Sequence, residues 1–299
     1  MVDAHVCCGL LAGGTGSRMQ PFVQRWINEE RPKQFCSFTD NKTMLEATWE
    51  RSLILAPEER HFTIITRGQE RYLQERPLPG KLIAQPVARG TTTGIAILLA
   101  HMLRQSPQAI AVLLPADHFV YPLSQFVERV KETIDWVTKN PLQAVTLAAV
   151  PSHPEPEYGW ISRQACGQVL DFHEKPGDPL AQQYFEHGYL CNTMITVARA
   201  DMLWALIAEH APWVTQALGG LLEKDVPLDP LLAQLTPSDF STDVVEKTVP
   251  NWHCFPLTDV YWSDWGRPER LIETIDSLNI NHHLPLDLTQ QYRPQVYAH

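Results

Sequence analysis

Short apolar runs separated by longer amphipathic stretches recur through the first half of this chain, and that alternation restricts the fold more than any other feature. Residues 4–12, 61–66, 81–84, 109–114 and 143–150 read as strands, and residues 43–55, 92–104 and 123–137 as helices between them. The last helix places Leu123, Phe126, Val127, Val130, Ile134 and Val137 on one stripe, the spacing of a face buried against a sheet. Strand–helix alternation of this kind builds an α/β fold, a mostly parallel Rossmann-like sheet with helices on both faces. The second half is less regular. Segments 158–163 and 168–174 flank Gly167 as a hairpin, 190–198 and 251–257 are further strands, and 200–209, 213–222, 228–235 and 267–277 are helices. These read as small β/α insertions on the main sheet. No Gly/Ser linker divides the chain, so residues 1–284 are expected to be a single domain of two halves, 1–150 and 151–284, with a loosely attached tail at 285–299.

Composition removes several classes of function. With 24 Lys plus Arg against 34 Asp plus Glu, the net charge of −10 opposes binding to a nucleic-acid backbone. No apolar run approaches the roughly 20 residues that span a bilayer, so no membrane partner is expected. Residues 1–11 lack a basic leading region and read as a core strand, not a signal peptide. Cys7, Cys8, Cys36, Cys166, Cys191 and Cys254 contain no CxxC pair, which suits reduced thiols and a cytoplasmic location. A net-acidic chain that handles an anionic substrate must concentrate its cations locally, so each loop Arg or Lys matters.

The first strand runs into Leu11-Ala12-Gly13-Gly14-Thr15-Gly16-Ser17-Arg18. Glycines here let the backbone turn tightly and bring N–H groups close to an anion, although a plain strand-end turn would use the same residues. The closing guanidinium of Arg18 favours phosphate oxygens. No Gly-Lys-Ser/Thr follows, so this is not a Walker A loop, and Met19 replaces the third glycine of a dinucleotide fingerprint. Lys33, in Arg31-Pro32-Lys33-Gln34, would alone pass for solvated surface. Gln85 to Gly94 precedes a helix whose threonines can cap it and whose N-terminus favours an anion. Asp117 stands just past the carboxyl end of a strand, where open α/β sheets bind ligands; it fits a Mg²⁺ ligand or a loop-capping residue. His118 has no metal-ligand partner at suitable spacing and reads as structural.

Taken in order, these segments resemble the sugar-phosphate nucleotidyltransferases, most closely the mannose-1-phosphate guanylyltransferase branch. The shared pattern is LAGGTGSRMQP (11–21), Pro32-Lys33-Gln34, Pro115-Ala116-Asp117-His118, Tyr158-Gly159-Trp160-Ile161, Glu174-Lys175-Pro176, Asn192-Thr193-Met194, Ser241-Thr242-Asp243 with Glu246-Lys247, and Trp262-Ser263-Asp264-Trp265-Gly266. The resemblance covers about residues 4–277 and implies a nucleotidyltransferase type A-like fold. The implied reaction joins an NTP and a sugar-1-phosphate into an NDP-sugar and pyrophosphate by Mg²⁺-assisted in-line attack, GTP and mannose-1-phosphate being favoured. It implies that Leu11 to Gly16 cradle the triphosphate, with Arg18 and Lys33 adding positive charge. Lys175 would receive the sugar phosphate, and Asp117 and Asp264 would hold Mg²⁺. Glu174 and Asn192 would grip sugar hydroxyls beside Gly159, while Gln85, Arg89, Gly90 and Thr91 would face the nucleotide. A homodimer is compatible with the resemblance.

Two places depart from the branch pattern. Met194 stands where the family has glycine, and Gln85 and Gly90 replace its Glu and Asn, so another base (uracil or thymine) or another hexose-1-phosphate remains an alternative. The chain ends before the fused isomerase domain of longer members, so a second activity is not expected. A non-catalytic regulatory relative would be expected to lose Arg18, Lys33, Asp117, Lys175 and Asp264, yet all are present. A nicotinamide dehydrogenase would need an acid ending the second strand, where Thr66-Arg67 stands.

Overall fold

The computed structural model describes residues 5–73, 78 and 80–293; the expected start of the first strand at residue 4 and the end of the tail lie outside them. Strand β1 (Val6–Leu11) leads into α1 (Gln20–Ile27) and α2 (Met44–Leu53), followed by β2 (His61–Thr66), β3 (Lys81–Gln85) and α3 (Thr91–Gln105). Then come β4 (Ile110–Pro115), a short β5 (Phe119–Tyr121), α4 (Leu123–Lys139) and β6 (Ala144–Ala149). The second half holds the hairpin β7 (Gly159–Arg163) and β8 (Val169–Glu174), then α5 (Asp178–Glu186), β9 (Leu190–Arg199), α6 (Ala200–His210) and α7 (Pro212–Leu218). It finishes with α8 (Leu228–Leu232), β10 (Trp252–Leu257), β11 (Tyr261–Ser263), α9 (Pro268–Leu278) and α10 (Leu286–Tyr292).

The main sheet runs β10-β6-β9-β4-β1-β2-β3, with the β7–β8 hairpin joined to β9. Strands β1 to β4 pair in parallel, as do β6 and β10, while β9 lies antiparallel between β4 and β6. The expected Rossmann-like α/β fold is therefore present. The sheet is buried on both faces because its strands alternate between two cores. Val6, Cys8 and Leu10 face one, with α4's Phe126, Val130 and Val137; Cys7 faces the other, with α3's Ile95 and Leu99 and α6's Leu203. The α4 stripe packs as its spacing predicts except at Leu123, which is 43% exposed.

Tertiary context alters several expected elements. Segment 213–222 is α7 plus a separate 3₁₀ turn at Gly219–Leu222, and the 228–235 helix stops at Leu232. Residues 286–292 are not loose. Leu284 and Leu288 are buried with Phe22 and Leu271, the Tyr292 ring meets the Phe22 ring edge-on at 5.4 Å, and Arg293 makes a bidentate pair with Asp276 at 2.8 and 2.9 Å. The pattern near Pro285 looked polar because only these few apolar positions dock. The short ribbon β5–β11 was also unforeseen, and it matters most. It pairs Ser263 with Phe119 antiparallel, so one further step sets Asp264 against His118.

Candidate active site

The glycine loop is held from its carbonyl side. Gln34 Nε2 donates to the carbonyls of Ala12 and Gly14, both at 2.7 Å; Gln69 donates to Gly14, Thr66 to Gly13 and Gln20 to Thr15. With those carbonyls occupied, the N–H groups of Gly13, Gly14 and Thr15 have no partner among the described residues. They are the free donors of the loop. Leu11, Gly13, Gly14, Gln85, Gly90, Thr91, Asp117, His118 and Met194 line a cleft of about 330 Å³ at the carboxyl ends of β1, β3 and β4. Further along the loop, Gly16 has φ +62° and packs on Lys33. Gln85 is 4% exposed; its Nε2 donates to Thr66 at 3.3 Å, while its buried Oε1 has no partner.

Beside this cleft lies a second, of about 130 Å³, lined by Arg18, His118, Glu157, Tyr158, Gly159, Glu174, Lys175, Asn192, Met194, Trp262 and Asp264. His118 and Met194 line both, so the clefts share a wall. Near that seam the buried Lys33 ammonium reaches Asp117 Oδ2 at 3.1 Å and donates to the carbonyl of Asp264. The two aspartates, 147 residues apart by number (264 − 117), thus meet at one lysine because the β5–β11 ribbon joins their loops. Asp264 is folded back into a cage. Its Oδ1 accepts from Arg270 at 2.6 Å, from the Tyr158 hydroxyl at 3.1 Å and from the Gly266 N–H at 2.9 Å. Burial works to raise this carboxyl, but the Lys33 and Arg270 charges outweigh it and hold Asp264 far below the usual carboxylate range. Burial, then Asp264, pushes the Tyr158 phenol well above its ordinary value, so it remains a donor.

Arg270, 7% exposed, also binds Glu155 at 2.8 Å and Glu157 at 3.0 Å, and its guanidinium lies 4.5 Å from the centre of the Tyr158 ring. Glu157 gathers Arg18 and Arg267 as well. Arg18 is thereby placed at the second cleft, 3.9 Å from Asp264 Oδ2, rather than lining the glycine-loop cleft. Glu174 sits above Gly159, whose missing Cβ gives the carboxylate its room: a Cβ there would lie 2.7 Å from Glu174 Oε2. Glu174 pairs with the exposed Lys175 at 2.7 Å. Asn192 has its carbonyl oxygen engaged by the Thr146 hydroxyl and the Met194 N–H, which leaves the NH₂ to the cleft. Met194 adopts φ +59° at a shift of strand register, a left-handed conformation that costs a residue with a Cβ about 1–2 kcal/mol.

The structure does not bring every expected residue together. Arg89 is spent elsewhere: its guanidinium donates to the carbonyls of Leu232 and Ala233, at 2.9 and 2.7 Å, just past α8. It does not line the glycine-loop cleft. Thr91 lines the cleft, but its hydroxyl is engaged by Asp239 and the Phe240 N–H, and the Thr92 N–H donates to Ser238 at 3.1 Å. The start of α3 is therefore covered by residues 238–240 instead of open to an anion. Gly90, at φ +86°, is required by that cover, since a Cβ there would stand 2.1 Å from the Ser238 carbonyl. His118 was read as structural, yet it lines both clefts. Burial pushes its imidazole down to about 4, and its Nδ1 accepts from the Trp262 indole at 3.3 Å, so it is neutral with its hydrogen on Nε2. Glu155 and Arg270 carried no local signal, because each acts on a partner remote in sequence, while Gln34 and Glu157 lay beside motif residues with no role of their own.

Residues 10–279 match the family model described as nucleotidyl transferase. Xanthan biosynthesis protein XanB of Xanthomonas campestris pv. campestris (strain B100) is 30% identical over 283 residues, covering 88% of this chain and 58% of that protein. Mannose-1-phosphate guanylyltransferase RfbM of Salmonella typhimurium is 32% identical over 206 residues, 64% of this chain and 41% of that one. A solved structure described as a mannose-1-phosphate geranyltransferase from Thermus thermophilus matches with a TM-score of 0.81 at 27% identity, over 91% of this chain and 79% of that one. The chain spans about half the length of the curated relatives it matches.

Proposed function

Since the chain belongs to the nucleotidyl transferase family, we propose that it joins GTP and mannose-1-phosphate into a nucleotide sugar and pyrophosphate. The observation that carries this reading is the pair of clefts sharing His118 and Met194, with Lys33 linking Asp117 and Asp264 near the seam. An NTP in the larger cleft takes its phosphate donors from the N–H groups of the glycine loop. A sugar-1-phosphate in the smaller one has Lys175 and Arg18 for its phosphate, and Glu174 with the Asn192 NH₂ for its hydroxyls. The sugar phosphate is already an anion, so its attack on the α-phosphorus needs no general base. What the site must do is position two mutually repelling anions and neutralise charge as pyrophosphate leaves.

Mg²⁺ is part of the proposal. Asp264 Oδ2 accepts no hydrogen bond among the described residues and lies 3.9 Å from the Arg18 guanidinium, and Asp117 faces the cleft, so two hard oxygen donors are available. Among the described residues no cluster of three or more His, Cys, Asp or Glu side chains could hold a metal ion. That suits a cation which takes few protein ligands and fills its shell with phosphate oxygens and water. When bound it would supply charge neutralisation between the phosphates. A cytoplasmic site of action is supported by six free cysteines, five of them buried. No helix among the described residues is long and apolar enough to cross a membrane.

The base is the least constrained part. The unpartnered Oε1 of Gln85 accepts one donor, which guanine, uracil and thymine all present on a ring N–H. The second donor of guanine, its amine, would favour a carboxylate, so UTP or dTTP is the alternative to GTP. The deciding experiment measures pyrophosphate release with Mg²⁺, each NTP and a panel of sugar-1-phosphates, in wild type and Gln85→Glu. GTP is expected to be the best wild-type substrate, with Gln85→Glu sharpening that preference severalfold. Preference for UTP or dTTP would move the base assignment, and silence with every pair would overturn the reaction.

A further inference from the structure

Met194 is a strained residue held in place. It has φ +59° in the middle of β9, where a glycine would rest without cost. Its side chain is not loose: the Ser241 hydroxyl lies 3.3 Å from its sulfur, and its N–H is fixed by Asn192 Oδ1 at 3.1 Å. It forms part of the wall common to both clefts, and the second cleft, at about 130 Å³, has less than half the room of the first at about 330 Å³. Backbone strain that persists at a site wall points to a function for the side chain that causes it.

Resting on the reading of the smaller cleft as the acceptor site, we propose that Met194 determines acceptor specificity by size. The thioether, pinned by Ser241, fills space along β9 beside Asn192 that a larger acceptor would need. The enzyme therefore takes hexose-1-phosphates with a plain hydroxyl on the ring face turned to β9, and rejects those with a bulky substituent there, an acetamido group in place of a hydroxyl being the simplest case. Steric exclusion by a fixed side chain discriminates strongly in this direction, because the larger ligand must displace packed atoms.

The test compares wild type, Met194→Ala and Met194→Gly on hexose-1-phosphates and their 2-acetamido-2-deoxy counterparts, by pyrophosphate release, together with thermal unfolding of each variant. Met194→Gly should raise kcat/KM for the acetamido acceptors at least about tenfold relative to the plain hexose and still unfold cooperatively. Met194→Ala, which keeps a Cβ but loses the thioether, should move selectivity the same way. Unchanged selectivity in both folded variants, or an equal loss with all acceptors, would overturn the size role and leave the reaction itself standing. A wild type inactive toward every acceptor would instead overturn the reading on which this rests.

Discussion

The two clefts are built by different means. The larger one is made of backbone: a glycine loop whose carbonyls are tied down by Gln20, Gln34, Thr66 and Gln69, leaving N–H groups free. The smaller one is made of charge: Arg18, Arg267 and Arg270 converge on Glu157, and Arg270 also grips Glu155 and Asp264. Neutral hydrogen bonds to a loop are modest and mutually independent. Buried ion pairs are interdependent, and removing one partner strands the others in a poorly solvated place. The glycine-loop cleft should therefore tolerate single changes, while the charged cleft should fail as a unit.

The largest expected effect tests this contrast directly. Arg270→Met leaves Glu155 and Asp264 without their buried partner and should destabilise the fold by about 3–5 kcal/mol. Gln34→Ala removes two donors from the loop and should cost about 1–3 kcal/mol. Denaturant midpoints of the two variants decide it, and equal losses would break the comparison. Next comes Asp117→Asn, which removes a partly exposed charge that is catalytic in the proposal and is also the carboxylate paired with the buried Lys33. Turnover should fall about a hundredfold or more, while the unfolding midpoint falls less than in Arg270→Met, because Lys33 keeps the Asp264 carbonyl as a partner. Wild-type turnover would remove Asp117 from the reaction.

A further effect is pH-dependent and concerns His118, one of the two residues common to both clefts. Burial lowers His118 to about 4, against about 6.5 in an unfolded chain. Between those values the unfolded chain binds a proton that the folded one refuses. Its contribution to stability is therefore complete above about pH 6.5 and falls as pH drops toward about 4, by at most about 3 kcal/mol. His118→Asn should flatten that part of the curve; His61, His101 and His253, lowered chiefly by burial too, keep the remainder of the slope. Identical slopes in variant and wild type would show that His118 does not resist protonation.

Legibility followed the same divide. Gly13 and Gly14 could be placed from the residues alone, because a loop after a strand lies at the carboxyl edge of the sheet, whereas Gln85, at the end of β3 two strands away, took its place from the resemblance. Lys33 passed locally for surface and gained its place only from the motif order; the structure buries it between two aspartates. Arg89 was misplaced because a guanidinium four residues past β3 reaches either the cleft or α8, and the choice lies with residues 232 and 233. Met194 was visible as a departure, but its left-handed backbone was not.

The alternating sheet with helices on both faces, the glycine loop and the order of the chemistry-bearing segments are legible in the residues alone. Each of these depends on side-chain period or on bonds between near neighbours. Long-range packing sets the rest: β9 enters antiparallel between β4 and β6, β5 pairs with β11, and α10 docks on α1 and α9. Those pairings bring Asp117 to Lys33 and the Asp264 loop, and Arg18 to Glu157, from segments far apart along the chain. A charge carries no mark of its partner in its local sequence. Its partner is set by which loops the sheet closes together, and so by the free energy of the whole packed core.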